Sequence, residues 1–365
     1  MKKEMIFAGL TARPVRTTVT ILAVALEVIL ILVIIGLTTG ITDETAKRTE
    51  GVGAELLVQP SGAGVILALS ENSMSIKLAD KLREFQGVKA VAPVMIKFNT
   101  EGGIEVFYGI DSSFTQVTGG FHFHDGTIFK APYEVVVDDL WAASKAAKVG
   151  DTVDMLNHPF KIAGIVEHGQ GARVFMSMQD LSDRTGQTPK AGAFFVKLND
   201  PAQIKTVKAE IEKVFENYTI RDVKDYETLM TSANIPGLGA FINAVVIIAL
   251  CVGIMVIFLS MYTTITERTR EIGILRSMGA SKAFIVGMIF QETTVVCILG
   301  VVVGTIASSV ITRVLSAIFP TLIIEITNEW RFNAAAFAIL SGIIGSFYPS
   351  VKAAGQDPVE ALAYE

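Results

Sequence analysis

TTVTILAVALEVILILVIIGLTTGI, residues 17–41, carries one charge, Glu27, in an otherwise apolar or hydroxyl-bearing run. At about 1.5 Å per residue, a helix of this length crosses a hydrocarbon core of about 30 Å. Lys2 and Lys3 precede it, as in a signal peptide. The run is too long for a signal-peptide core, however, and no A-x-A-like site follows Ile41. It therefore reads as a first transmembrane helix (TM1), which makes the chain a helical membrane protein.

Three more spans follow: 241–266 without charge (TM2), 284–312 interrupted by Gln291 and Glu292 (TM3), and 332–351 (TM4). The whole 365-residue chain is 51% hydrophobic and 18% charged, against about 25% charged in soluble domains. A net charge of -5 supplies no basic field for nucleic acid. Cys251 and Cys297 both lie inside apolar spans, so they build neither a disulfide framework nor a CxxC metal site.

Lys2, Lys3, Arg13 and Arg16 flank the first span, and Arg268, Arg270, Arg276 and Lys282 fill the turn between the second and third. By the positive-inside rule, segments 1–16, 267–283 and 352–365 are expected in the cytoplasm. Residues 42–235 and the loop 313–331 are then expected outside the cell membrane.

Segment 42–235 reads as an α+β domain. Strand-like runs at 54–59, 88–96 and 193–198 alternate with helical patterns at 74–86 and 204–215. In the second helix Ile204, Val207, Ile211, Val214 and Phe215 share a face behind the Asp200-Pro201 start signal. This predicts two βαβ-like halves, a split βαβ subdomain, flanking a β-rich insert over about 101–185. The insert holds short β runs at 104–110, 134–138, 152–156 and 160–166. Polar stretches 42–50 and 222–233 read as stalks extending the first two spans.

No G-x-x-x-x-G-K-[ST], HExxH or GxSxG string occurs, so neither an ATPase of the P-loop type nor a hydrolase is expected in this chain. His122, His124 and Asp125 lack further ligands at clear spacing and read as a polar turn, so no metal is assigned. Glu27, Gln291 and Glu292 are the intramembrane polar residues. They serve either a proton or substrate track or interhelical hydrogen bonds. Gly300, Gly304 and Ser308, and likewise Ala338, Gly342 and Ser346, recur every fourth residue and mark helix-packing faces.

The turn 267–281, ERTREIGILRSMGAS, is amphipathic and ends in a Gly279-Ala280-Ser281 stop and restart signal. Alone, it reads as an interfacial helix. The string Arg270 to Ser281, the tail Ala353-Ala354 with Asp357-Pro358-Val359-Glu360-Ala361-Leu362, and the runs Val149 to Val153 and Phe160 to Ile165 together resemble the FtsX-like, MacB-type permeases of ABC transporters. Arg13-Pro14 departs from the continuous basic segment of such relatives.

The resemblance implies a non-catalytic permease subunit of the cell inner membrane. A separate ATPase subunit, which holds the ATP and Mg, would bind the turn between TM2 and TM3. A second permease subunit, as a homodimer, and a periplasmic adaptor are the further partners it implies. Closure of the ATPases would reshape the extracytoplasmic domain by mechanotransmission, exporting or extracting a lipidic, lipoprotein, peptide or drug-like substrate. The alternative is an FtsX-like regulator of an extracytoplasmic partner such as a cell-wall hydrolase. In the coupling element, Ile272, Ile274, Leu275 and Met278 are expected to dock. Arg270, Glu271 and Arg276 set the register, and Gly279 closes the helix.

Overall fold

The computed structural model describes residues 14–62, 73–99, 105–186, 188–230, 234–235 and 237–356. The N-terminal lysines, Arg13 and the Asp357 to Leu362 motif lie outside the described residues. The chain divides into two units, 1–38 with 237–315 and 324–365, and 39–236 with 316–323.

Helix α1 (Pro14–Gly51) contains the first span and continues unbroken through the polar residues 42–50. A row of hydroxyls that satisfy their own helix accompanies this continuation, Thr38 onto Ile34 and Thr45 onto Ile41.

In the second unit, β1 (Leu56–Pro60) and a short β2 (Met74–Ser75) precede α2 (Leu78–Arg83), β3 (Val88–Asn99), β4 (Glu105–Ile110) and α3 (Ser112–Thr118). Next come β5 (Phe123–Gly126), β6 (Glu134–Asp138), α4 (Asp139–Lys145), β7 (Thr152–Met155), β8 (His158–Val166), β9 (Val174–Ser177) and α5 (Met178–Thr185). The unit closes with β10 (Lys190–Ala191), β11 (Ala193–Leu198), α6 (Ile204–Val214), β12 (Tyr218–Asp222) and α7 (Tyr226–Leu229).

The strand order β12-β1-β11-β3 is antiparallel throughout, with Leu57 opposite Phe195, Val58 opposite Ile220 and Val91 opposite Val196. Each βαβ segment thus brackets a strand of the other, which is the split βαβ arrangement. Alternation along β1 sends Leu56 and Val58 to the face covered by α2 and α6, and Leu57 to the opposite core. The inserted strands join this arrangement through β3. β3 is long enough to pair with β11 through Val94 and with β4 from Met95, so the sheet runs on through β9, β6, β8 and β5. One core, with Leu57, Ala92, Tyr108, Phe114, Phe175 and Phe195, spans both halves of it. A second core, with Phe107, Val135, Phe160 and Val174 under Trp141 and Leu181, fills the other face of the inserted part.

Three expectations change. Residues 74–86 hold a bridge strand and a two-turn helix rather than one helix, because Met74 and Ala191 pair across β2 and β10. Val214 is exposed, whereas Ile204, Val207, Ile211 and Phe215 pack on the core of the sheet. The stalk expected over 222–233 is absent among the described residues. Val223, Tyr226 and Met230 turn into the core instead, in a 3₁₀ turn and a single helical turn.

The membrane unit adds α8 (Leu238–Glu267), α9 (Thr269–Ser277), α10 (Lys282–Ile318) and α11 (Asn328–Gly355) to α1. Helices α1, α8, α10 and α11 are each long and apolar enough to span a membrane. Small residues bring them close. A side chain at Gly300 would meet Val24, one at Gly304 would meet Ala25 and Val28, one at Gly342 would meet Cys297, and one at Gly345 would meet Ile257. These glycines therefore pack helices within the chain.

Candidate functional site

The turn between the second and third spans is built by capping chemistry. Helix α8 stops at Glu267, where the Arg268 N–H bonds the Thr264 and Ile265 carbonyls at 3.1 Å, and α9 starts one residue later. It ends where Gly279 takes φ +94°, with Gly279 N–H on the Arg276 carbonyl and Ala280 N–H on the Leu275 carbonyl, both at 3.0 Å. That double bond pattern around a left-handed residue is the Schellman closure, which favours glycine. Ser281 Oγ then accepts from Phe284 N at 3.2 Å and caps α10.

The faces of α9 differ from the expectation. Ile272 is buried with Thr269 and Gly273 inside its own bundle, and Leu275 packs half-buried on the same core. Arg276 donates to the Ala354 carbonyl at the end of α11. Ile272, Leu275 and Arg276 therefore anchor the helix to its own chain. The residues turned outward are Arg270, Glu271, Ile274, Ser277, Met278 and Gly279, with Met278 71% and Ile274 43% exposed.

Arg268 was not singled out by the sequence, yet it joins these pieces. Its Nε lies 2.9 Å from Glu271 Oε2 and its Nη1 lies 3.0 Å from Glu292 Oε2. Glu292 thus finds an arginine, not Gln291, which is exposed. The signal was available, because a carboxylate inside a span calls for a counter-ion and Arg268 is the cation at the neighbouring helix end. A cavity lined by Met261, Ile265, Arg268, Leu275, Ile289 and Glu292 lies beneath α9.

Glu27 stands apart from this group. It packs where Gly253 leaves room on α8 and lies 3.1 Å from Ser341 Oγ on α11. Gly304 of α10 packs beside Ala25 and Val28, so Glu27 is at about its level. Glu292, twelve residues earlier on α10, is displaced by ~18 Å of helix rise. The two carboxyls do not form one polar track.

In the extracytoplasmic unit, Arg173 is the hub of a buried ionic cluster. It lies 3.1 Å from Asp138 Oδ2, 3.4 Å from Glu44 Oε1 of α1 and 3.1 Å from the Thr321 carbonyl. Asp138 also caps α4 by accepting from Trp141 N at 2.6 Å. Burial pushes the Asp138 carboxyl up to about 6, against the opposing pull of Arg173 and the Trp141 N–H. Elsewhere, His168 Nδ1 lies 3.0 Å and His124 Nε2 3.8 Å from the Asp139 carboxylate. Among the described residues, no group of three or more His, Cys, Asp or Glu is arranged to hold a metal ion.

Comparison with known proteins places this architecture. Residues 17–214 match the MacB-like periplasmic core domain, and residues 243–358 match the FtsX-like permease C-terminal domain. The chain is similar to the macrolide export ATP-binding/permease protein MacB of Shewanella sp., at 23% identity over 99% of this chain and 60% of that protein. The MacB of Escherichia coli matches over the same shares at 23% identity. The chain therefore spans about 60% of the length of these relatives. Among solved structures, the periplasmic region of MacB from Actinobacillus actinomycetemcomitans matches at 16% identity with a TM-score of 0.38, covering 49% of this chain and 94% of that one.

Proposed function

The chain belongs to the family of permeases with a MacB-like periplasmic core and an FtsX-like C-terminal domain. On that premise we propose that it is the transmembrane subunit of an ABC transporter complex. It couples ATP hydrolysis in a separate ATPase subunit to movement of its extracytoplasmic domain. The exposed stripe of α9 carries this reading. Arg270, Ile274 and Met278 recur every fourth residue on a helix whose other side is fixed by Ile272, Leu275 and Arg276. A helix held rigidly on one side while presenting two apolar residues between charges is suited to a groove on a partner. Force on it reaches TM3 through the Arg268 bridge between Glu271 and Glu292.

An ATPase partner agrees with the names of the matched relatives, which are ATP-binding/permease proteins, and residues 1–365 contain no P-loop string. The cargo proposed is lipidic, lipoprotein, peptide or drug-like, drawn from the membrane or the space outside it. A second copy of the chain completes a homodimer.

The test is co-purification of the ATPase with tagged chain in detergent. Met278→Asp with Ile274→Asp is expected to abolish capture while the thermal melt of the permease stays at the wild-type value. An interface residue of this kind contributes about 2 kcal/mol, or roughly 30-fold in affinity. Retained capture by a folded double variant would overturn the assignment of the docking face.

A further inference from the structure

Glu27 is 4% exposed in the interior of the membrane bundle. Among the described residues it has no ion-pair partner, unlike Glu292 with Arg268. Its Oε1 is buried without a hydrogen-bond partner, and its Oε2 meets one group, the hydroxyl of Ser341 at 3.1 Å. That hydroxyl has one proton and also lies 3.0 Å from the Ala338 carbonyl, which can only accept. If the serine proton goes to Ala338, the contact with Glu27 is attractive only when Glu27 brings a proton of its own. If the serine instead donates to Glu27, an ionised carboxylate would hold a full charge on one neutral hydrogen bond in an apolar site. Such a charge costs far more than a neutral acid in the same place, and buried carboxyls neutralise instead.

Among the described residues, the surroundings supply no alternative counter-charge. On α8 the facing position is Gly253, where any side chain would collide with the carboxylate, and on α11 it is Ser341. On α10 the titratable neighbour is the Cys297 thiol, itself buried. We propose that Glu27 is a proton-binding site, occupied in this helix packing, which releases its proton only when α1 separates from α8 and α11. Closed packing then favours proton uptake, and any step that opens the α1–α8 seam favours release. The chain thereby binds and releases a proton in step with its own conformational change. This holds whether or not an ATPase docks on α9.

A buried neutral carboxyl in lipid is also the target of hydrophobic carbodiimides. The acid proton moves to one nitrogen of dicyclohexylcarbodiimide while a carboxyl oxygen bonds its central carbon. The acyl group then shifts to nitrogen, and the whole reagent is retained as an N-acylurea with no leaving group.

The deciding experiment is the infrared difference spectrum of wild type minus Glu27→Gln, both in lipid nanodiscs at neutral pH. The expected result is the carbonyl stretch of a neutral carboxyl, shifted in D₂O. The paired bands of an ionised carboxylate would overturn the proposal. A second measurement on wild-type protein needs no variant. Mass mapping after carbodiimide treatment should place an adduct on Glu27, with a yield falling about tenfold per pH unit once the pH exceeds the carboxyl's pKa. Protection by sodium at constant pH would mean a bound cation instead of a proton and would overturn it, as would no adduct in detergent-solubilised protein at any pH.

Discussion

Single side chains set the tolerance of both units. Arg173 neutralises Asp138, whose exposure is zero, and also reaches Glu44 and the Thr321 carbonyl. Removing one partner of a buried pair leaves the other charge uncompensated, so Arg173→Met should cost about 3 kcal/mol of stability, read as a lower melting temperature. Asp138 fixes the pH sign. Its folded pKa of about 6 lies above the ordinary 3.8, so its contribution is fully present below pH 3.8 and is lost as pH rises through 6. Asp138→Asn should flatten that part of the stability profile, and an unchanged slope would remove Asp138 as its source. In the bundle, Gly253→Ala puts a methyl where the Glu27 carboxylate sits. It should lower the melting temperature, while Gly253→Ala with Glu27→Ala should recover part of the loss, since both changes act on one contact.

Elements show where periodicity is enough and where it is not. Each apolar span was legible because its length exceeds what a soluble core helix needs, and the Gly279-Ala280-Ser281 signal marked the boundary between α9 and α10. The facing of α9 was not legible. Ile272, Ile274, Leu275 and Met278 are equally apolar, and only the packing of Ile285, Ile289 and Ala354 buries two of them and leaves two outside. The polar stretch 222–233 misled for the opposite reason: three residues, Val223, Tyr226 and Met230, outweigh their polar neighbours by entering the core. β9 went unseen because Val174, Phe175 and Met176 are consecutively apolar and all buried, so no alternation marks them, yet the strand lies between β4 and β6. Gly304 on α10 offers a test at this scale. Its ideal Cβ would sit 2.8 Å from both the Ala25 carbonyl and Val28 Cβ. Gly304→Leu should therefore force α1 and α10 apart and lower the melt of the membrane unit, while Leu at Gly287, which has open space around it, should be tolerated.

At the scale of the molecule, the charge distribution makes a claim about sidedness. Arg268, Arg270, Arg276 and Lys282 cluster at the turn between α8 and α10, whereas the stretch 313–331, from the last turns of α10 through the first turn of α11, sets Arg313 and Arg331 against Glu325 and Glu329. Short loops rich in lysine and arginine stay on the cytoplasmic side. The outward stripe of α9 would then face the compartment that holds ATP, and the sheet domain would face the opposite one. Single cysteines in a background lacking Cys251 and Cys297 decide this. Ser277→Cys and Asp154→Cys both occupy exposed positions, so a difference in labelling reports the side of the membrane rather than burial. In intact cells a membrane-impermeant maleimide should modify the cysteine at 154 and leave the one at 277 untouched until the membrane is permeabilised. The reverse pattern would place α9 outside, away from any ATPase. The docking proposal would then fail.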